Sequence, residues 1–546
     1  MKKFIILSLA GVLIFALGAT VYAQAPKLEF KVSGYIDAQT FWTMNVPPRY
    51  TSAGLYGVTY PGSRFYPPGS GALTGYKTGS YNKEVAFWDS RAVLKMDMVM
   101  GPNLSGTIMF EIDTSRGGST WSPYLGNGRE ANTVGGWSAD RTAVEVKNIY
   151  IDFGLPYFGI PVPMTVRVGA QPIGVRPNML VYTDGFGVTG GIKIDPVLII
   201  PIYAKPLEGL DFAADDCDVY GLHVNAKLGT FTVGGYGLWY NMNTYPFFVN
   251  APVAGLPTPL TPVVQGTYQA SMYWLGVYAD GKAGPVNINF DFVYDFGKVE
   301  SKLGLPYPKV DYQGWAIRTK IDFPWEKFNF GVVGMYASGS DAQDTSTGGL
   351  PGQLVGWGTG GAAAAGPYWG NRYSKKVTGY VVPPGSEQDT NNYESIVVYG
   401  MESGASGGIG IAENTNYSQV SKGAFGGTWF AKLYGSAKLT PWYKVTLQGL
   451  YIGDTTTHGN TFGSAVKYPG TSYPYLKDNG SIGWELDLIN EIYIYRNLRW
   501  FIGGGVLWAG SALDVSRNVN TTANPIYLNA RPSTPWAIRT RLVYTF

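Results

Sequence analysis

The final eleven residues, Trp536 to Phe546, alternate with a period of two and end on an aromatic carboxyl terminus. Trp536, Ile538, Leu542, Tyr544 and Phe546 fall on one face; Arg539, Arg541 and Thr545 fall on the other. A soluble sheet rarely sets two arginines against so apolar a face at the end of a chain. A membrane barrel strand needs that arrangement, because one face meets lipid and the other a wet lumen.

The amino terminus agrees. Lys2 and Lys3 precede an apolar run from Phe4 to Leu17, and Val21-Tyr22-Ala23 supplies small residues before Gln24. Residues 1–23 read as a secretory signal peptide. The run is short for a spanning helix, and no later stretch approaches roughly eighteen apolar residues. The expected organisation is a signal peptide, 1–23, followed by a single transmembrane β-barrel, 24–546. Mean hydropathy is −0.03, which fits strands that are apolar on one face only and excludes a helical membrane protein. Cys217 is the sole cysteine, so no internal disulfide, haem-attaching pair or zinc-binding pair is available. The net charge of +3 comes without a basic run able to track phosphates, so no nucleic-acid partner is expected.

Period-two segments recur about eighteen times along the chain. The gaps between them alternate, long then short. Tight turns fall at Gly101-Pro102-Asn103, Asp195-Pro196, Phe323-Pro324-Trp325-Glu326, Thr440-Pro441-Trp442 and Arg496-Asn497. The long gaps are rich in Gly, Ser, Thr, Asn and Pro; Gly339–Gly427 is the longest and is a candidate to fold over the mouth or to hold a short hairpin. Alternating loop lengths, an even strand number and both termini on one side predict an all-β fold, an antiparallel transmembrane barrel of about eighteen strands with long external loops and short periplasmic turns. One segment resists the pattern. In Thr142–Phe153 the apolar face switches from Val144 and Val146 to Ile149 and Ile151, which predicts a bulge near Lys147-Asn148.

A barrel this wide encloses an aqueous channel rather than a packed core. Lumen-facing charges then become the candidate functional residues: Arg91, Lys95, Asp97, Glu111, Asp113, Arg167, Asp291, Arg318, Lys320, Arg499, Arg539 and Arg541. Asp37, Asp295, Lys432, Glu485, Asp487 and Glu491 share that parity. Both signs occur, so strong ion selectivity is not expected; the bland alternative is that these groups merely pair and keep the lumen wet.

The aromatic ending, Tyr544 and Phe546, resembles the closing strand of bacterial outer-membrane β-barrel proteins. That resemblance implies recognition of Phe546 by the barrel insertion machinery. Thr165-Val166-Arg167-Val168-Gly169-Ala170-Gln171-Pro172 resembles the strand before the third external loop of general porins. It implies that Ile173–Gly187 folds inward, with Arg176, Asp184 and Phe186 narrowing the pore. The last hairpin, with Gly483-Trp484-Glu485-Leu486-Asp487 and Gly503-Gly504-Gly505, is similar to the end of alginate-export-type barrels. The expectation is an outer-membrane porin of a Gram-negative-type bacterium that passes small hydrophilic solutes or ions. A homotrimer is implied by family analogy. The alternatives are a selective oligosaccharide or anion channel or exporter, or a scaffold sheathing another protein.

Enzymatic chemistry finds little support. His223 falls on the lumen face and His458 in a loop, and neither pairs with a positioned nucleophile. Asp211, Asp215, Asp216 and Asp218 around Cys217 could supply oxygen ligands to a cation, but a solvated acidic loop explains them as well. No metal and no cofactor is expected. Gln24–Pro26 is too short for a plug ahead of the first strand.

Overall fold

The structure, a computed structural model, describes residues 27–45, 85–113, 144–155, 162–207, 216–245, 268–302, 309–341, 376–384, 386, 394–400, 425–461, 466–467, 475–518, 527–531 and 533–546. The expected signal peptide and Asp211 and Asp215 lie outside these residues.

The wall runs in chain order: β1 (Leu28–Met44), β2 (Val85–Met100), β3 (Leu104–Asp113), β4 (Glu145–Gly154), β5 (Met164–Val175), β6 (Val181–Ile194), β7 (Val197–Leu207), β8 (Cys217–Leu228) and β9 (Phe231–Tyr245). It continues through β10 (Tyr268–Ala283), β11 (Val286–Ser301), β12 (Lys309–Trp325), β13 (Phe328–Ala337), β14 (Thr428–Thr440), β15 (Tyr443–Asp454), β16 (Ser481–Tyr495), β17 (Leu498–Ala509) and β18 (Trp536–Thr545). Each strand pairs antiparallel with the next, and β1 pairs with β18 from Tyr35↔Thr545 to Met44↔Trp536. The eighteen strands therefore close on themselves; the nineteenth member of the sheet, Lys376–Val377, lies parallel to β12. Phe546 completes the seam, exchanging backbone hydrogen bonds with Gly34 at 3.0 and 3.1 Å. Closure leaves no unpaired edge, the condition for a sheet to cross a bilayer.

Alternation along the strands sorts the two faces. On β16, Trp484, Leu486 and Leu488 are exposed while Glu485, Asp487 and Ile489 are buried. On β18, Ile538, Leu542 and Tyr544 are exposed while Arg539 is fully buried. A carboxylate on the outer face near the midplane would cost about 2–4 kcal/mol, so the charges turn inward. Exposed aromatics ring both ends: Trp239, Trp315, Trp484 and Trp508 toward the long loops, and Trp325, Trp442, Trp500 and Tyr495 toward the short turns. Such girdles mark the two interfaces of a membrane barrel. The turns are tight because glycine supplies the left-handed backbone they need: Gly229 and Gly284 sit at φ 61° and 60°.

The bulge in β4 is present. Met109 faces Asn148 and Phe110 faces Val146, so Lys147 is the extra residue, and the lumen side gains Lys147 beside Asn148. Around Pro201 of β7 the ladder to β6 is interrupted between Thr189↔Ile202 and Ile192↔Ile199, as an N–H-less residue requires.

The main correction concerns Ile173–Gly187. The expected loop is largely paired backbone: β5 and β6 continue to Val175↔Val181, leaving only Arg176–Leu180 as the turn. This extension leaves the wall. β5 pairs with β4 no further than Ala170, and β6 pairs with β7 only from Phe186 onward. Beyond those points the two strands of the hairpin are laddered only to each other, and its tip residues Ile173, Val175, Met179, Leu180 and Val181 are buried inside the barrel.

Candidate functional site in the barrel lumen

The lumen is built from paired charge. At the closing seam Arg541 meets Asp37 at 2.6 Å and Arg539 donates to Gln39 at 2.7 Å. Next to it Arg91 and Lys147 share Glu111 at 3.3 and 2.7 Å, and Lys147 reaches Asp184 at 3.7 Å. Lys95 pairs with Asp97, and Arg167 forms a fork on Asp152 while lying 4.2 Å over the Tyr150 ring. Lys320 pairs with Asp322 at 3.4 Å, and Arg499 approaches Glu491 at 3.9 Å. Each of these expected lumen residues is paired with another polar side chain; the Asp113 side chain is outside the described residues.

The inward hairpin carries a second set of polar contacts. Gln171 is fully buried at its base, donating to the Gly187 carbonyl at 2.8 Å and accepting from Thr189 at 2.7 Å. Arg176, at φ 45°, forms the tip and reaches two wall carboxylates: Asp291 on β11 at 2.7 Å and Asp280 on β10 at 3.2 Å. Its guanidinium also lies 4.1 Å from the centroid of Tyr278, whose hydroxyl is 2.8 Å from a ring nitrogen of His223. Arg176 thus reaches from the end of β5 to the wall strands four and five beyond β6. Asp184 also takes part, accepting from Asn148 at 2.8 Å. Phe186 does not. It belongs to the wall, faces Ala170 and Lys205 in the ladders, and is 61% exposed on the outer side.

Sequence reasoning missed a second inward segment, part of the long connection between β13 and β14. Tyr380 donates its hydroxyl to the Met179 carbonyl, and Ser386 donates to the Leu180 carbonyl at 2.9 Å, so this connection touches the hairpin tip. Trp274 donates to the Val381 carbonyl at 2.8 Å, and Gly379 and Tyr380 pass so close to β12 that only a glycine fits at Gly314. Further along, Glu394 is clamped between Arg318 at 3.0 Å and Lys432 at 2.6 Å. Burial would raise the Glu394 carboxyl, but Lys432 and Arg318 outweigh it and hold it down at about 2. The amides of Ile396, Val397 and Val398 all donate to Glu485, and Gln448 donates to Asp487 at 2.7 Å. Five wall residues from four strands, four of them charged, therefore hold or border one loop segment. The available signal was the apolar run Ile396-Val397-Val398-Tyr399 within an otherwise polar loop, which has to be buried somewhere.

Other candidates resolve into ordinary pairs. Asp216 meets Lys205 at 2.8 Å and Asp218 accepts from Tyr203 at 2.9 Å. Among the described residues no cluster is arranged to hold a metal ion. His458 sits on the long-loop rim, 2.9 Å from Asp341.

No family model matches the chain and no curated protein matches it. Solved structures similar to it include OpdQ of Pseudomonas aeruginosa, at 8% identity over 94% of this chain and 98% of that one with a TM-score of 0.44. OccK9 (OpdG) of the same organism shows 10% identity over 95% and 98% with a TM-score of 0.45. A BenF-like porin from Pseudomonas fluorescens Pf-5 shows 8% identity over 95% and 98% with a TM-score of 0.43.

Proposed function

We propose that this chain is an outer-membrane porin: a water-filled channel for passive diffusion of small hydrophilic solutes or ions across the outer membrane of a Gram-negative-type bacterium. The observation that carries this reading is the combination of a closed eighteen-strand wall with a polar, charged interior narrowed by two inward segments. A wall of that strand number encloses an aqueous lumen, and a hydrated lumen tolerates the ion pairs that an apolar core would not. Arg176, Asp280 and Asp291 form a polar crossing from the hairpin tip to the wall. They act on size and charge rather than by chemistry. The chain is exported by way of residues 1–23, placed by the insertion machinery through Phe546, and assembled as a homotrimer.

The inserted Glu394–Tyr399 segment favours one refinement, a selective channel over a wide diffusion pore, because it occupies lumen that the wall alone would leave open. A continuous arginine track, the mark of an acidic-oligosaccharide path, is not what the lumen cations named above form: Arg91, Lys95, Arg167, Arg318, Lys320, Arg539 and Arg541 each meet a carboxylate or an amide. A swelling assay on vesicles containing the purified barrel tests the proposal. Swelling in small sugars and amino acids that slows steeply with solute size supports a narrowed channel. No swelling in any solute would reject it in favour of a scaffold.

A further inference from the structure

The outer face carries a trough that the channel reading does not use. It runs across β12 to β16 from the short-turn rim toward the middle of the wall, with a volume of about 780 Å³. Its sides are Ile321, Phe323, Phe328, Phe330, Leu433 and Leu447. The trough exists because outward positions there are small. Gly435 stands between Phe330 and Leu447 in the ladders, and Gly449 stands between Leu433 and Leu486. A methyl group at Gly435 would meet only the Phe330 ring at 3.5 Å, and at Gly449 only Leu486 at 3.9 Å. Backbone crowding therefore does not demand these glycines, and larger side chains would fill the trough.

Charge appears where the trough ends. Lys327, in the turn between β12 and β13, holds its ammonium 5.4 Å from the centroid of the Phe328 ring that lines the trough. Lys327 is exposed, and among the described residues no carboxylate pairs with it. Lys438 is beside it, its amide bonded to the Lys327 carbonyl at 2.8 Å. Trp325 and Trp442, each 55% exposed, mark this level as the bilayer interface. An apolar trough within the membrane that ends at an interfacial cation is complementary to one kind of molecule: an acyl chain joined to an anionic headgroup.

We propose that this trough is a binding site for an anionic phospholipid of the leaflet at the short-turn end. One acyl chain lies along Gly435 and Gly449, and the phosphate faces Lys327. The inference rests on the membrane reading above.

The test places the purified full chain in nanodiscs containing equal phosphatidylglycerol and phosphatidylcholine. The protein is then extracted into mild detergent and weighed by native mass spectrometry. One retained lipid is expected, with phosphatidylglycerol favoured about fivefold, the preference that one interfacial lysine supplies. Lys327→Gln should erase the preference and keep the lipid. Gly435→Leu and Gly449→Leu should each lose the lipid while the barrel still migrates as a folded, heat-modifiable band. A barrel that enters nanodiscs but retains no lipid, or retains it equally in all variants, overturns the site alone. An oligomer that Gly435→Leu dissociates overturns it too, by making the trough an interface between copies. A chain that does not enter nanodiscs overturns the membrane reading as well.

Discussion

Arg176→Ala isolates the hairpin tip. In the structure the Arg176 side chain is 15% exposed, Asp291 2% and Asp280 36%. The Asp280 contact, a third open to water, contributes little. The Asp291 contact is charge-assisted and nearly dry, and its loss strands a buried carboxylate, for a cost of about 2 kcal/mol. That shifts the balance between a docked and a free tip by about thirtyfold. The formal charge of the crossing also changes: one guanidinium and two carboxylates sum to minus one, and without Arg176 the two carboxylates leave minus two. Single-channel recording in a planar bilayer should show higher conductance, noisier open states and, under a salt gradient, a reversal potential moved toward cation selectivity. Arg176→Lys should restore the charge but not the fork, recovering selectivity more than quietness. Conductance, noise and reversal potential all unchanged in Arg176→Ala would refute the claim that this tip constricts the lumen.

The Glu394 clamp gives a pH prediction. A carboxyl held at about 2 contributes its full anchoring above its ordinary value of 4.5 and loses it only as pH falls through the depressed value. Protease resistance of the Glu394–Tyr399 segment should therefore persist from neutral pH down to 4 and fail near 2, whereas Glu394→Gln should be cleaved at neutral pH. Gly314→Val would bring a Cβ within 2.6 Å of Gly379 and Tyr380, so it should expel the inserted segment while leaving the wall folded; higher conductance with an intact heat-modifiable band is the expected pair of results. Val277→Arg places a charge on the outer face, where Val277 is 53% exposed, and should lower folding stability in lipid vesicles by about 2–4 kcal/mol; an unchanged urea midpoint would contradict the lipid-facing assignment.

The wall was legible because nearly all of its strands obey a single two-sided rule. Ile288, Phe290 and Phe292 must meet lipid while Asn289 and Asp291 must not, and that contrast is written locally. The hairpin tip obeys no such rule. Ile173, Val175 and Val181 lie among protein on all sides, so nothing imposes alternation, and Gly174, Pro177 and Gly185 read as loop punctuation. Phe186 was misplaced for the same reason: once the loop shrank to Arg176–Leu180, parity carried Phe186 to the outside. Lys147 was legible only as an irregularity in the face pattern of β4. The charged residues were found, but their partners were not. Arg176 lies 115 positions from Asp291, and Glu394 lies 76 from Arg318, separations at which no local pattern carries information.

The most direct test of a permeable, narrowed lumen is single-channel conductance of the refolded full-length barrel in a planar bilayer under a salt gradient. The account predicts stable ohmic steps with weak ion selectivity, because carboxylates and cations alternate around the described lumen. Silence from a barrel shown to be folded and inserted would contradict it.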